Sequence, residues 1–261
     1  MVIRERCVVA VHPYLDVEVP IGIAHRGGAL EAPENSLAAF REAVDAGYRY
    51  LETDVHATAD GKLVVFHDEY LDRVTNATGP VASKTWDELA EVRIGGSDEP
   101  IALLEDVLRT FPNTCFNLDP KSSAAVAPLA AILDDLDALD RVCVGSFSDR
   151  RLATLRERFG PRLCTALGPT DVRSLRLRSL RLPVKRGAGL CAQVPTRYGR
   201  LPIVDRLFVR SAKRHGVAVH VWTIDDAEEM HRLLDLGVDG IMTDRPAVLR
   251  SVFQERGIWP S

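Results

Sequence analysis

Short apolar runs and longer stretches of helical spacing replace one another along the chain. Residues 19–28 are strand-like up to about His25. Residues 33–47 open with Pro33 and the cap-capable Asn35 and Ser36, carry helical apolar spacing and stop at Gly47. Residues 48–58 then alternate with period two. Asp60-Gly61 is a hairpin signal, and 62–68 reads as the partner strand. Residues 70–100 break the rhythm, with Thr/Asn/Gly/Pro clusters bracketing one short helical piece at 86–92. Alternation then resumes: helix 102–111, strand 114–121, helix 124–139, strand 141–147, helix 148–160 and strand 162–167. After a basic stretch come strand 189–195, helix 205–216, strand 217–224, helix 225–237, strand 239–244 and helix 245–257.

Counted from His25, about eight strands alternate with helices in one run. A helix between consecutive strands returns the chain to the same end of the sheet, so the strands are parallel. Eight such units in this length fit an α/β fold of the TIM type, a (β/α)8 barrel with a small insertion after the second strand. The expected organisation is an N-terminal extension over 1–19, a barrel over 20–256 with its insertion at about 70–100, and a tail over 257–261.

Composition narrows the class. The chain has 261 residues, 46% hydrophobic and 27% charged, with 33 Lys+Arg against 37 Asp+Glu for a formal charge of −4. That is an ordinary globular chain able to bury a full core. It has no run approaching the ~20 apolar residues of a membrane helix, and near-neutrality argues against generic nucleic-acid binding. The N-terminus is a poor signal peptide, with Glu5 before a short apolar run, and the expected location is the cytoplasm. Five cysteines (Cys7, Cys115, Cys143, Cys164, Cys191) lack metal-type spacing and read as reduced core residues.

Charge is also segregated. No acid occurs between Asp171 and Asp205, where eight basic residues lie, and only five of the basic residues are lysines. Leu and Arg do not separate by helical phase in this stretch, which reads as a solvated, partly packed helical segment.

In such barrels function gathers at the C-terminal strand ends. Here those ends carry His25-Arg26-Gly27-Gly28, Glu52 and Asp54, Asn117 and Asp119 with Lys121, Ser146-Phe147, Gln193, Trp222 and Thr243-Asp244. Glu52 and Asp54 are two apart on a strand and share a face. Asp119 and Lys121 repeat that spacing at the end of the next parallel strand. Three carboxylates at one mouth repel one another unless a cation neutralises them. All-oxygen donors suit Mg²⁺ or Ca²⁺ rather than Zn²⁺. His56 shares the face of Glu52 and Asp54 but lies close to the hairpin turn, beyond the cluster. His25 and His67 suit displacement at a phosphoester, one taking a proton from the attacking group and one protonating the leaving alkoxide. Lys121 or Arg26 would offset charge on phosphoryl oxygens, and Gly27-Gly28 lets backbone N–H groups turn toward an anion.

With these residues assembled, the chain resembles the glycerophosphodiester phosphodiesterases, a family within the phospholipase-C-like phosphodiesterase barrels. The resemblance runs over 21–246. It rests on His25-Arg26-Gly27, Pro33-Glu34-Asn35, Glu52-Thr53-Asp54-Val55, Asp60-Gly61, His67-Asp68 and Leu71-Asp72-Arg73. Further on it includes Asp119-Pro120-Lys121, Ser146-Phe147, Trp222-Thr223, Gly237-Val238-Asp239-Gly240 and Thr243-Asp244-Arg245-Pro246. It implies that His25 and His67 are the acid/base pair and that Glu52, Asp54 and Asp119 hold a divalent metal. It further implies that Arg26 and Lys121 contact phosphate, that Trp222 walls the substrate pocket, and that the insertion caps the mouth. The expected reaction cleaves a small-molecule glycerophosphodiester to glycerol 3-phosphate and an alcohol. Asp119 stands where the family commonly has Glu, one methylene longer. Two other readings remain: a lysophospholipid-headgroup phosphodiesterase, with the basic 172–204 stretch at an anionic membrane surface, and a non-catalytic phosphate-binding barrel. The oligomeric state, and the choice between direct water attack and a cyclic phosphate intermediate, are not legible in the sequence.

Overall fold

A computed structural model describes residues 12–18 and 20–259. Eight strands form the barrel wall: β1 (Ile21–His25), β2 (Tyr50–Ala57), β3 (Cys115–Pro120), β4 (Val142–Val144), β5 (Cys164–Thr165), β6 (Cys191–Pro195), β7 (Ala218–Trp222) and β8 (Gly240–Thr243). Neighbours pair in parallel in the order β5-β4-β3-β2-β1-β8-β7-β6. The ring closes between β5 and β6 through one isolated parallel bridge, Ala166 to Cys191. The fold expected from the alternation is therefore present, with its thinnest seam at β5–β6.

A helix follows each strand: α1 (Leu37–Asp45), α2 (Leu104–Thr110), α3 (Val126–Asp135), α4 (Asp149–Phe159), α5 (Pro169–Ser179), α6 (Arg206–Arg214), α7 (Ala227–Leu236) and α8 (Pro246–Glu255). Local chemistry starts and stops them. The side chains of Ser36, Ser148, Asp205 and Asp226 accept hydrogen bonds from first-turn N–H groups. Pro opens α5 and α8, and left-handed Gly237 ends α7. The basic stretch opens as α5. Its arginines tie it to α6, with Arg176 Nη2 2.8 Å from Asp205 Oδ2 and Arg178 Nη2 2.7 Å from His215 Nε2.

Alternation sorts the side chains into two layers. Leu51, Val55, Phe116, Leu118, Val142, Val144, Val219 and Val221 face the helices and make the large core. The opposite face lines the lumen, which near the strand starts holds Ile21, Ile23, Tyr50, Cys143, Cys164, Cys191 and Met242. Tyr14, in the turn Pro13–Leu15, fills the floor of this lumen. It is fully buried and stands edge-on to Tyr50 at 5.2 Å, whose hydroxyl donates to the Tyr14 carbonyl. Through Tyr14, the described part of the expected N-terminal extension thus contributes to the barrel core. At the chain's other end, Trp259 packs on Tyr48 and Phe253.

The excursion after β2 begins as the expected hairpin, with Leu63–Val65 antiparallel to β2, and Ala102–Leu103 pairs with that strand in turn. Between them Val64, Phe66, Leu71, Val81, Leu89, Val92 and Ile101 form a small separate core. The helical piece at 86–92 is the short helix Trp86–Ala90, started by a capping box between Thr85 and Glu88.

Candidate active site

The turn after β1 brings the first histidine and its neighbours into place. Arg26, Gly27 and Gly28 all have positive φ. A Cβ on Gly27 would meet Ala39 Cβ at 2.8 Å, and one on Gly28 would meet Pro246 Cγ at 2.7 Å, so both positions require glycine. This turn lays the chain against β8. His25 Nδ1 lies 2.6 Å from Asp244 Oδ1, and that ring nitrogen carries the proton it donates. His25 Nε2 is left facing Glu52 Oε2 at 3.6 Å. Burial lowers the proton affinity of His25, but the Glu52 and Asp244 carboxylates outweigh it and leave the pKa raised.

β2 supplies the acids. Glu52, Asp54 and His56 share its lumen face, all buried. Glu52 accepts from the backbone N–H of Arg26 at 3.2 Å. Burial, then repulsion from Asp54, pushes its carboxyl up to about 7. Asp54 lies opposite Asp119 in the β2–β3 register. Lys121 Nζ stands between the two, 2.6 Å from Asp54 Oδ1 and 3.0 Å from Asp119 Oδ2. Asp54 Oδ2 and Asp119 Oδ1 are buried without hydrogen-bond partners among the described residues. The acids share one mouth as expected. Even so, no three acid or histidine donors in it lie within 4.8 Å of one another among the described residues. The positive charge between Asp54 and Asp119 is Lys121 itself. Arg26 is likewise engaged, at 3.3 Å from Asp54 Oδ2 and 3.2 Å from Glu34 Oε1.

His67 joins the same network from the hairpin side. His56 Nε2 lies 3.1 Å from the His67 carbonyl, so His56 anchors the hairpin. His67 Nδ1 is 2.6 Å from Asp68 Oδ1, which mirrors the His25–Asp244 pair. Asp68 is held by Arg73, whose hydrogen bonds lower the carboxyl to about 2. Arg73 also reaches Glu34 at 2.8 Å, and Glu34 returns to Arg26. A chain of ion pairs therefore runs from His67 to Arg26, whose backbone N–H reaches Glu52 beside His25. Trp222 ends β7, with its ring edge-on to the outlying Phe147 at 5.8 Å.

Reasoning from the residues assigned no role to Asp244, Asp68, Glu34 or Arg73, although all four lie inside quoted motifs. The signal available for Asp68 was its place beside His67. Asp244 sits at the opposite end of the chain from its partner, and only the closed ring joins them.

A parallel barrel whose mouth gathers two carboxylate-oriented histidines, buried acids and two cations defines a hydrolase of the phosphodiesterase class. Comparison with known proteins gives the family. The model of the glycerophosphoryl diester phosphodiesterase family matches residues 25–248. A Mycobacterium tuberculosis protein named "Probable glycerophosphodiester phosphodiesterase 2" is 36% identical over 246 residues, covering 92% of this chain and 92% of that protein. A glycerophosphodiester phosphodiesterase from Caldanaerobacter subterraneus is 31% identical over 255 residues, covering 90% of this chain and 98% of that one. The fold matches that of an Oleispira antarctica phosphodiesterase in complex with the product sn-glycerol-3-phosphate. That structure has a TM-score of 0.77 and 24% identity, over 90% of this chain and 97% of that one. The chain belongs to the glycerophosphoryl diester phosphodiesterase family and is an enzyme of that activity. No helix among the described residues is long and apolar enough to cross a membrane.

Proposed function

We propose that the enzyme hydrolyses small glycerophosphodiesters to glycerol 3-phosphate and an alcohol by histidine acid/base catalysis assisted by a divalent cation. The observation that carries this reading is the matched pair of imidazoles, each held by a carboxylate through Nδ1, His25 by Asp244 and His67 by Asp68. Fixing Nδ1 leaves Nε2 of each ring for proton transfer. A new P–O bond forms to the attacking oxygen as the P–O bond to the alcohol breaks. One imidazole takes the proton of the attacking group and the other returns one to the leaving alkoxide. In this scheme His25, held by Asp244 beside Glu52, is the donor to the leaving alkoxide, and His67 is the acceptor.

Glu52, Asp54 and Asp119 would hold the cation. Hard oxygen donors fit Mg²⁺ or Ca²⁺, and two buried oxygens that accept no hydrogen bond among the described residues support this set: Asp119 Oδ1, and Asp54 Oδ2, which has only the Arg26 guanidinium at 3.3 Å beside it. When bound, the cation supplies Lewis-acid stabilisation of charge on the phosphoryl oxygens. Arg26 and Lys121, held over Asp54, are cations at hand for the phosphate. Trp222 is a wall for the glycerol or alcohol portion.

His25→Ala and His67→Ala are each expected to lower kcat at least ~10²-fold in folded protein. A diester with a good leaving group, such as a nitrophenyl ester, should restore much of the rate in His25→Ala and little in His67→Ala. Near wild-type turnover in either variant removes that residue from the mechanism, and equal rescue of both overturns the division of roles.

A further inference from the structure

The lumen floor, at the end of the barrel away from the mouth, holds chemistry that the hydrolytic site does not use. Cys143, Cys164 and Cys191 come from three successive strands, β4, β5 and β6, and all point inward. Cys143 and Cys164 are direct register partners, and Cys191 is bridged to Ala166 just beyond Cys164. The three Sγ atoms lie within 4.8 Å of one another, with Cys143 and Cys191 at 3.6 Å. A tetrahedral ion with Zn–S bonds of about 2.3 Å spaces its sulfurs by roughly 3.8 Å, so small movements bring three thiolates onto one ion.

Two further observations lie beside this cluster. His220, on the lumen face of β7, is 1% exposed and lies against Cys191, and its Nδ1 has no hydrogen-bond partner among the described residues. The Tyr14 hydroxyl, fully buried in the same layer, is likewise without a partner. Orphaned polar atoms are costly in an interior. A lumen filled only for packing has no call for two of them beside three thiols.

We propose that Cys143, Cys164 and Cys191 bind one Zn²⁺ ion in the barrel floor, with His220 as the neighbouring donor for a fourth position. Three sulfurs and an imidazole nitrogen are a donor set for a structural zinc. The oxygen donors at the mouth suit a hard cation, so the two ends of the lumen sort metals by softness. The role follows from the topology. β5 and β6 meet through a single bridge, and Cys164 and Cys191 stand on either side of that seam. An ion ligated by both staples the place where the ring closes.

The test uses the full chain, refolded under reducing conditions with Zn²⁺ and dialysed against chelator. The expected result is about one Zn²⁺ retained per chain and an unfolding midpoint above that of the metal-free protein. Refolding with Co²⁺ should give thiolate-to-cobalt charge-transfer absorption. Both signals should vanish in Cys164→Ser and persist in Glu52→Gln, which keeps the floor site distinct from the mouth. Because metal content and absorption are read on the unaltered chain, a variant that fails to fold does not decide the matter. Substoichiometric zinc with no charge-transfer band overturns the proposal. So does a thiol count showing Cys143 and Cys191 joined as a disulfide in the reduced-buffer preparation.

Discussion

Glu52 concentrates the tension of the mouth in one side chain. Its carboxyl is raised from 4.5 to about 7 by burial and by Asp54, so the folded state holds a proton there that the unfolded chain has released. Between those two values the unfolded state binds fewer protons, and stability must fall as pH rises, levelling off above about 7. In chelator, urea unfolding between pH 5 and 8 should show this decline, and Glu52→Gln should flatten it. A divalent cation held by Glu52 would displace the same proton. Its affinity should therefore strengthen as pH rises through about 7, and chelation should abolish turnover until Mg²⁺ or Ca²⁺ is restored. Turnover unchanged after thorough chelation would remove the cation from the reaction. The i, i+2 spacing of Glu52 and Asp54 was visible in the sequence. The insertion of Lys121 between Asp54 and Asp119 was not, because it depends on the β2–β3 register.

Among the elements, α1 shows how local signals carry distant geometry. The Ser36 side chain accepts from the Ala39 N–H at 3.0 Å, and the same turn of helix packs Ala39 and Phe40 against Gly27. Ser36→Ala should cost about 1 kcal/mol through the lost cap, read as a small fall in the thermal midpoint. KM should rise as well if the His25-Arg26 turn shifts with it; an unchanged midpoint would show that the cap contributes nothing. The eight-unit alternation, the hairpin at Asp60-Gly61 and the cap at Ser36 were all legible, since period and capping are local properties. α5 was harder to read. Its arginines look free along the chain, and their partners Asp205 and His215 come from α6.

In the whole molecule, the lumen separates two jobs along one axis: charged chemistry at the mouth, and aromatic and thiol packing at the floor. Tyr14→Ala would open a cavity beneath β1 and β2. By analogy with other large aromatic truncations it should destabilise the protein by about 3–5 kcal/mol while leaving kcat and KM near wild type. A selective loss of kcat in folded protein would contradict this separation. Taken alone, the sequence determined the barrel and the family resemblance and singled out the histidines and acids as candidates, because these rest on periodicity and on motifs only a few residues long. Tertiary structure decided which charges meet. His25 pairs with Asp244 across 219 positions of chain, Lys121 comes between two acids, and His67 reaches Arg26 only through Asp68, Arg73 and Glu34. It also decided that three cysteines, each a whole β/α unit from the next, share one point in space. The physical reason is that a closed parallel ring makes neighbours of residues at equal height on adjacent strands, however far apart they lie along the chain.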